Sequence, residues 1–305
     1  MKLYFLGTGS AVPTKDRGLT CIALKIEGET ALIDCGDGSQ RQLVKMGLGF
    51  KSIKRVFITH LHGDHFLGLP AIVQTFSMLK RDIPLEVYGP KGLKPLFDKL
   101  FEVAYFDPSF DLKIIEIESE TSFRFSKYSV KFFRVHHGEV PCYGIRISEH
   151  DKPGKLNVKK ADELGVPVNE RWKLKRGMPV TSPSGRIVYP EEVLGPPKKG
   201  RVIVYSSDTR PCNSVVKNSR NADVLIHDST FTEAHKERAL ATFHSTVREA
   251  CLVAKQANVK TLVLTHFSAR YNYEDIEKEV SKYKDIFSNV VIARDLMTLE
   301  VSPPT

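Results

Sequence analysis

The sequence predicts a mixed α/β fold, and three observations carry that prediction. Short β-rich runs closed by glycines alternate with stretches of helical apolar pattern. Two apolar runs end alike, "VFITH" at His60 and "LVLTH" at His266, which hints at a repeated β/α unit. Between about residues 150 and 200 the composition turns to Pro, Gly and Lys, which sets an insertion apart from the pattern on either side.

In chain order, "KLYFLG", "CIALKIEG" and "TALIDCG" read as the first strands. "SIKRVFITH" is an apolar strand ending on a histidine. Behind it, "HFLGLPAIVQTFSMLK" has a helical pattern in which Pro70 is tolerable only near the first turn. "LEVYG", "LKIIEIES", "FRFSKYSVKFFRVHHG" and "CYGIRIS" add further strands. His150 to Gly200 holds the only tryptophan, Trp172, and reads as an extended loop or a small protruding module. The alternation then resumes. "RVIVYSSD", "ADVLIHDST" and "TLVLTHFS" are strands, "HSTVREACLVAKQA" and "YEDIEKEVSKYKDIF" are helices, and "VVIARDLMTLEV" is one last strand.

The bulk properties narrow the class. A chain of 305 residues has ample material for one large α/β domain or two smaller ones. It contains no apolar run of membrane-spanning length, and "MKLYFLGTGS" lacks the apolar stretch of a signal peptide. The five cysteines, Cys21, Cys35, Cys142, Cys212 and Cys251, are odd in number, scattered, and form no CxxC. That argues against a disulfide framework and a thiolate zinc site, and points to thiols in a reducing cytoplasm. The net charge of +9 permits a polyanionic partner without requiring one.

The chemistry concentrates at strand ends. "FITHLHGDHFLGLP" places His60, His62, Asp64 and His65 within six residues, although the chain has only ten histidines. Imidazole nitrogen and carboxylate oxygen are preferred donors for zinc and similar ions. Alternate residues of extended backbone project to one side, so His60 and His62 can share an ion. Asp64 and His65, beyond the Gly63 turn, face another position. Further ligands must come from elsewhere, and His137 after "FFRVHHG", Asp208 in "YSSDTR" and His266 in "LVLTHFS" all follow apolar runs. A lone strand-end histidine is usually just a hydrogen-bonded residue, and Asp208 before Thr-Arg-Pro also reads as a helix N-cap. Together with the four-residue cluster, the set reads as a metal centre. By contrast "GTGS" is no dinucleotide fingerprint, since no third glycine follows in register.

His60, His62, Asp64 and His65 match the HxHxDH signature of the metallo-β-lactamase superfamily, and the chain resembles its tRNase Z family nearly end to end. "LIDCGDGSQRQL" is similar to the family's second-strand motif, and "THLHGDHFLGLP" to its ligand loop, with Ala71 after Pro70. "SSDTRPC" resembles GDTRPC with Ser207 in place of glycine, and "HDST" stands where the family has HEAT; "HST" at His244 and "THFSARY" also match. The resemblance implies a four-layer αββα sandwich, a single catalytic domain over 1–305 with an arm inserted at about 150–200, and a homodimer. It implies two zinc ions per subunit: His60, His62 and His137 at one, Asp64, His65 and His266 at the other, with Asp208 between them. His137 rather than His136 has the family's spacing to "CYGIRI". Asp64 would accept a proton from the attacking water, and His244 would donate one to the leaving oxygen. From position alone, His244 reads equally as a helix N-terminal residue, and the hydroxyl of Ser207 is expected near the Asp208 carboxylate.

Substrate contacts follow from the same resemblance. Pro13, Lys15 and Arg17 match a PxKxRN motif that meets the tRNA 3′ end, with Gly18 in place of its asparagine. Arg270 is similar to a phosphate contact and suits a bidentate guanidinium. The insertion corresponds to an arm that grips the tRNA elbow, with Lys159, Lys160, Arg171, Lys173, Lys175 and Arg176 available to phosphates. It reads "GVPVNE" where relatives have GVPxGP, and Trp172 stands as either a stacking platform or a hinge-packing residue. The expected activity is removal of the 3′ trailer from precursor tRNA by a cut after the discriminator nucleotide. A metallo-hydrolase of small thioesters, lactones or phosphodiesters is the alternative, but it gives the basic arm and the Pro13-Lys15-Arg17 loop no task. A tRNA-binding scaffold with a dead site would require a missing ligand, and each expected ligand is present.

Overall fold

Alternation along the strands divides the apolar residues between two faces, and that division builds the layers. The computed structural model describes residues 1–303; the last two positions of the expected 1–305 domain lie outside the described residues. Among them the strands are β1 Lys2–Gly7, β2 Cys21–Ile26, β3 Glu29–Ile33, β4 Ile53–Phe57, β5 Leu85–Pro90, β6 Leu112–Ile117, β7 Ser122–Arg124, β8 Tyr128–Arg134, β9 Tyr143–Glu149, β10 Val180–Thr181, β11 Ile187–Val188, β12 Val202–Tyr205, β13 Val224–Asp228, β14 Thr261–Thr265, β15 Val290–Ile292 and β16 Met297–Glu300. One sheet runs β16-β1-β2-β3-β4-β5-β6 and the other β15-β14-β13-β12-β9-β8-β7.

Side chains of period two sort these strands into three cores. Ile22, Leu24 and Ile26 of β2 join Tyr128, Val130, Ile203, Val224 and Ile226 of the other sheet in a cluster between the sheets. Cys21 and Ala23 turn the opposite way, onto helices Ser39–Lys45, Gly68–Met78 and Leu93–Val103. Leu225, Leu262 and Leu264 likewise turn onto helices Asn213–Ser219, Val247–Ala257 and Tyr273–Ser281. The result is a helix–sheet–sheet–helix sandwich.

Parallel pairing sets where the site forms. β3, β4, β5 and β6 are parallel neighbours, as are β12, β13, β14 and β15. Parallel strands release their following loops at one edge of a sheet. Those loops carry Asp34 after β3, Thr59 to His65 after β4, Asp208 after β12 and His266 after β14, while Asp228 ends β13.

Two expectations about elements are corrected. The run "VVIARDLMTLEV" is not one strand: β15 pairs with β14 in one sheet, and β16 pairs with β1 in the other. The chain reverses at Leu296, whose φ is +64°, with its N–H donated to the Phe5 carbonyl at 2.7 Å. The segment after His62 forms two helices, Gly63–Phe66 and Gly68–Met78, and Pro70 does fall in the first turn of the second.

The chain divides into a unit of Met1–Ile147 with Val202–Val301 and a second unit around Ser148–Arg201. The second unit is more than an extended loop. Helices Val158–Glu163, Arg171–Lys175 and Pro190–Val193 and the β10–β11 hairpin enclose a core of Ala161, Val166, Leu174, Val180, Val188 and Val193. Glu149 and Arg201 close its base in a buried ion pair at 2.6 Å. All five cysteines are free. No helix among the described residues is long and apolar enough to cross a membrane.

Candidate metal centre

Four histidines at the strand edge have one ring nitrogen occupied and the other aimed inward. Asp34 organises two of them. Its carboxylate accepts the Thr59 hydroxyl at 3.0 and 2.9 Å, so Thr59 Oγ1 is left to accept the N–H of His60 Nδ1 at 3.0 Å. Asp34 Oδ2 also accepts from His65 Nδ1 at 2.7 Å. His137 Nδ1 donates to the Phe243 carbonyl at 3.1 Å. Thr230 gives its own proton to Asp228 Oδ1 at 2.7 Å and accepts from His266 Nδ1 at 2.9 Å. Each ring is thereby fixed in the tautomer whose Nε2 carries a lone pair, the arrangement that outer carboxylates and hydroxyls impose on ligating histidines.

The inward atoms converge. His60, His62, His137 and Asp208 bring ligand atoms within 4.8 Å of one another, as do Asp64, His65 and His266. Asp208 lies between the sets: Oδ2 is 3.7 Å from His60 Nε2 and 3.3 Å from His65 Nε2, and Oδ1 is 3.3 Å from His266 Nε2. A third grouping adds Asp228 and His244 to Asp208 and His266. Asp228 is spoken for, however: it accepts from Thr209 N, Thr230 N, Thr230 Oγ1 and His244 Nδ1 at 2.7–3.0 Å. It orients His244 and leaves no lone pair for an ion.

This donor set fits metal ions on the structure's own terms. His60 Nε2 and Asp208 Oδ1 are buried with no hydrogen-bond partner, which is costly unless a cation meets them. His65 Nε2 and His266 Nε2 face each other at 3.2 Å, and His137 Nε2 and His62 Nδ1 at 3.4 Å, close pairs of ring nitrogens that a shared cation would hold together. Burial lowers His60, His62 and His137, which keeps them neutral and able to ligate. Burial opposes charge on His65 as well, but the Asp208 and Asp34 carboxylates overcome it and raise that ring well above its usual range. The same negative field favours a cation at its Nε2. Burial would raise Asp64, yet its contacts with His266 and His65 hold it far below the carboxylate range. The strand edge is a candidate metal centre, with donors grouped closely enough to hold a cation.

Backbone strain marks the same edge. Asp34, Ser207 and His266 have φ of +55°, +57° and +63°, a left-handed conformation that non-glycine residues rarely adopt and that collects at functional sites. At Ser207 this explains why glycine suits the position. The Ser207 hydroxyl is not at the Asp208 carboxylate, as expected; it pairs with Cys142 Sγ at 3.2 Å. Gly36 has no Cβ for a steric reason, since one would run into the Asp64 carbonyl oxygen.

The other expected site residues fall in distinct places. His244 is half-buried beside the centre, its ring 5.2 Å from that of His266 and 5.0 Å from that of His137. Burial would lower it, but the Asp228 carboxylate at 2.9 Å raises it to about 9. His136 is exposed and lies outside the ligand groups; its carbonyl accepts from Arg210 N at 2.8 Å. Pro13, Lys15 and Arg270 are exposed. Arg17 is not: it is 3% exposed, and its Nη2 donates to the Ser268 and Tyr271 carbonyls at 3.1 and 2.6 Å. A guanidinium buried in this way holds the loop that carries Arg270, so direct contact with a substrate is not the role its geometry offers. Within the inserted unit Lys175 and Arg176 are exposed, Lys173 is half-buried and pairs with Glu170 at 3.1 Å, and Arg176 lies 4.9 Å over the Trp172 ring.

Asp34, Thr59, Asp228 and Thr230, which orient the ring nitrogens, carry no signal of that role in the sequence. "LIDCG" and "HDST" are visible as motifs, but nothing local says which histidine each acid faces.

Residues 1–153 match the family described as anti-Pycsar protein Apyc1, and residues 177–267 match the beta-lactamase superfamily domain. The ribonuclease Z of Methanosarcina acetivorans is 40% identical over 302 residues, covering 99% of this chain and 98% of that protein. That of Bacillus licheniformis is 40% identical over 305 residues, covering 99% of each. Among solved structures, human tRNase Z, short form, matches with a TM-score of 0.71 at 29% identity, over 99% of this chain and 100% of that one. Near-complete coverage in both directions joins the strand-edge ligand set in one conclusion: the chain belongs to the ribonuclease Z family of the beta-lactamase superfamily.

Proposed function

We propose that this chain is a metal-dependent endoribonuclease that removes the 3′ trailer from precursor tRNA by cutting after the discriminator nucleotide. The observation that carries the reading is end-to-end kinship with ribonuclease Z at about two residues in five, in a chain that keeps the full strand-edge donor set. His60, His62 and His137 would hold one zinc ion and Asp64, His65 and His266 a second, with Asp208 serving both. Zinc ions held there supply positive charge to a phosphodiester and acidify a water molecule.

The chain's own residues then divide the work. Asp64 is ionised and anchored by the Ala11 N–H at 2.8 Å, so it can accept the proton of the attacking water. Attack at phosphorus breaks the bond to the 3′ oxygen, which must gain a proton as it leaves. His244 holds that proton: Asp228 takes the Nδ1–H and keeps the ring charged at neutral pH, leaving the Nε2 proton to donate. The products are a tRNA 3′-hydroxyl and a trailer 5′-phosphate. Lys15 and Arg270 are exposed for contact with the 3′ end, Pro13 shapes the loop that carries Lys15, and Arg17 acts through the carbonyls it holds beside Arg270.

The inserted unit is read as the tRNA-gripping arm. It carries twelve Lys and Arg against seven Asp and Glu, a net +5 of the chain's +9. Phosphate contacts of this kind position a nucleic acid without reading its sequence. Lys173, Lys175 and Arg176 follow Trp172 in the chain; Trp172 is 48% exposed with the Arg176 guanidinium 4.9 Å over its ring, a surface suited to stacking. Family membership supports a homodimer working in the cytoplasm, and solution mass measurement tests the dimer.

The deciding experiment incubates zinc-loaded protein with a precursor tRNA carrying a 3′ trailer and maps product ends at single-nucleotide resolution. One cut after the discriminator, leaving a 3′-hydroxyl, is the expected result. No cut, with brisk turnover of a thioester, lactone or small phosphodiester, would transfer the protein to the small-molecule hydrolases.

A further inference from the structure

The loop from Thr8 to Gly18 carries Ala11, Pro13, Lys15 and Arg17, and both of its feet rest on one side chain. Asp295 lies in the reversal between β15 and β16, where the chain passes from one sheet to the other. Its Oδ1 accepts Thr8 N at 3.0 Å and Thr8 Oγ1 at 2.8 Å; its Oδ2 accepts Gly18 N at 2.7 Å and Gln42 Nε2 at 2.9 Å. Four donors on one carboxylate, two from each foot or its neighbour, make a clamp that fixes where the loop begins and ends.

What the clamp fixes reaches the reacting groups. Beyond Thr8, the Ala11 N–H meets Asp64 Oδ2 at 2.8 Å. Thr8 O accepts from Phe267 N at 2.9 Å, and Ser10 N donates to Phe267 O at 3.1 Å, so the loop is stitched beside His266. Before Gly18, Arg17 grips the carbonyls of Ser268 and Tyr271, on either side of Arg270. Position 18 is tight: a Cβ on Gly18 would come 3.3 Å from Asp295 Oδ2 and 3.6 Å from Gln42 Nε2. A side chain there would press on the carboxylate, which would have to shift by a few tenths of an ångström.

We propose that Asp295 is a positioning residue that sets the register of the Thr8–Gly18 loop over the metal centre, and so determines which phosphodiester of the RNA is cut. It touches no reacting atom; it acts through Thr8 and Gly18. The inference rests on the ribonuclease reading above and concerns the place of the cut rather than its chemistry.

The test is the distribution of cut positions on a precursor tRNA. Asp295→Asn keeps the volume but turns one acceptor oxygen into a donor, so one foot loses its anchor. The expected result is that wild type cuts at one bond, whereas the variant spreads a substantial share of its cuts, about one third or more, to adjacent phosphodiesters. A merely structural role would lower the rate through fewer folded molecules and leave the position unmoved. An unshifted cut overturns the proposal, whatever the rate. Should Asp295→Asn prove inactive, Gly18→Ala decides by the same readout, because its methyl presses on Asp295 Oδ2 without removing the carboxylate. Wild type that cuts no precursor at all would instead refute the ribonuclease reading, a distinguishable outcome.

Discussion

At the strand edge most of the charged groups are buried or half-buried and most ring nitrogens have an assigned partner; around Ser148–Arg201 many cations stand in solvent on a small core of their own. The first region concentrates its interactions where few water molecules screen them, so each carboxylate shifts its neighbours strongly. In the second, a partly exposed pair such as Lys173–Glu170 contributes at most ~1 kcal/mol, and on the proposed reading the charges would act together on a polyanion. If geometry serves the chemistry in one and net charge the affinity in the other, changes in the two should have separable effects.

The sharpest separation comes from Asp64. Asp64→Ala removes a donor and the proton acceptor together, and the cleavage rate should fall by on the order of 10³-fold or more. Precursor tRNA should still bind with little change in Kd, as judged by filter binding at fixed salt. Loss of binding by a folded, metal-loaded variant would break the division between the regions.

The opposite experiment neutralises the arm. With Lys173, Lys175 and Arg176 all changed to Ala, KM for precursor tRNA should rise while kcat changes by less than about threefold. The slope of log Kd against log salt should also flatten by about two to three units, about one for each cation that no longer meets a phosphate. A fall in kcat with an unaltered salt slope would place these cations in the chemistry instead.

A subtler change probes how the edge tunes its acid. The Asp228 carboxylate raises His244 to about 9, so the proton is present below that value and lost above it. Activity that needs a protonated His244 therefore fades on the alkaline side. Asp228→Asn removes the larger of the two carboxylate charges that raise the ring, leaving burial opposed by Asp208 alone, so the alkaline limb of the kcat profile should move to lower pH. An unmoved limb would assign the leaving-group proton to another residue.

The same contrast governs what can be read from sequence. His60, His62, Asp64 and His65 are legible because the ligands are near neighbours in the chain. Asp208 and His266 can be placed because parallel strands deliver their ends to a common edge, and His137 because it too closes an apolar strand, β8 of an antiparallel pair. Asp34 and Asp228 are not assignable, since each matters through a histidine 31 or 16 residues away, and only the fold decides that pairing. Arg17 looks like a substrate contact because its motif position is visible and its burial is not. The inserted unit looks like loop because its apolar residues, spaced irregularly between Ala161 and Val193, follow neither a helical nor a strand period. "VVIARDLMTLEV" looks like one strand because nothing in an apolar run announces the reversal at Leu296.

The smallest expected effect tests whether strain at the edge serves the chemistry or only tolerates it. Ser207 sits at φ +57° and its hydroxyl pairs with Cys142. A non-glycine residue held there costs roughly 1–3 kcal/mol, whereas a hydrogen bond returns about 0.5–1.5 kcal/mol. Ser207→Gly removes both, and also frees the unfolded chain, which works against the variant by roughly 0.5–1 kcal/mol. These effects nearly cancel, so thermal unfolding should show a Tm within a few degrees of wild type. Asp208 keeps its surroundings, and cleavage should change by less than about threefold. A large loss of activity at unchanged Tm would mean that the Ser207–Cys142 contact aims the Asp208 carboxylate, extending the edge's fixed geometry to a pair of side chains that no ligand motif includes.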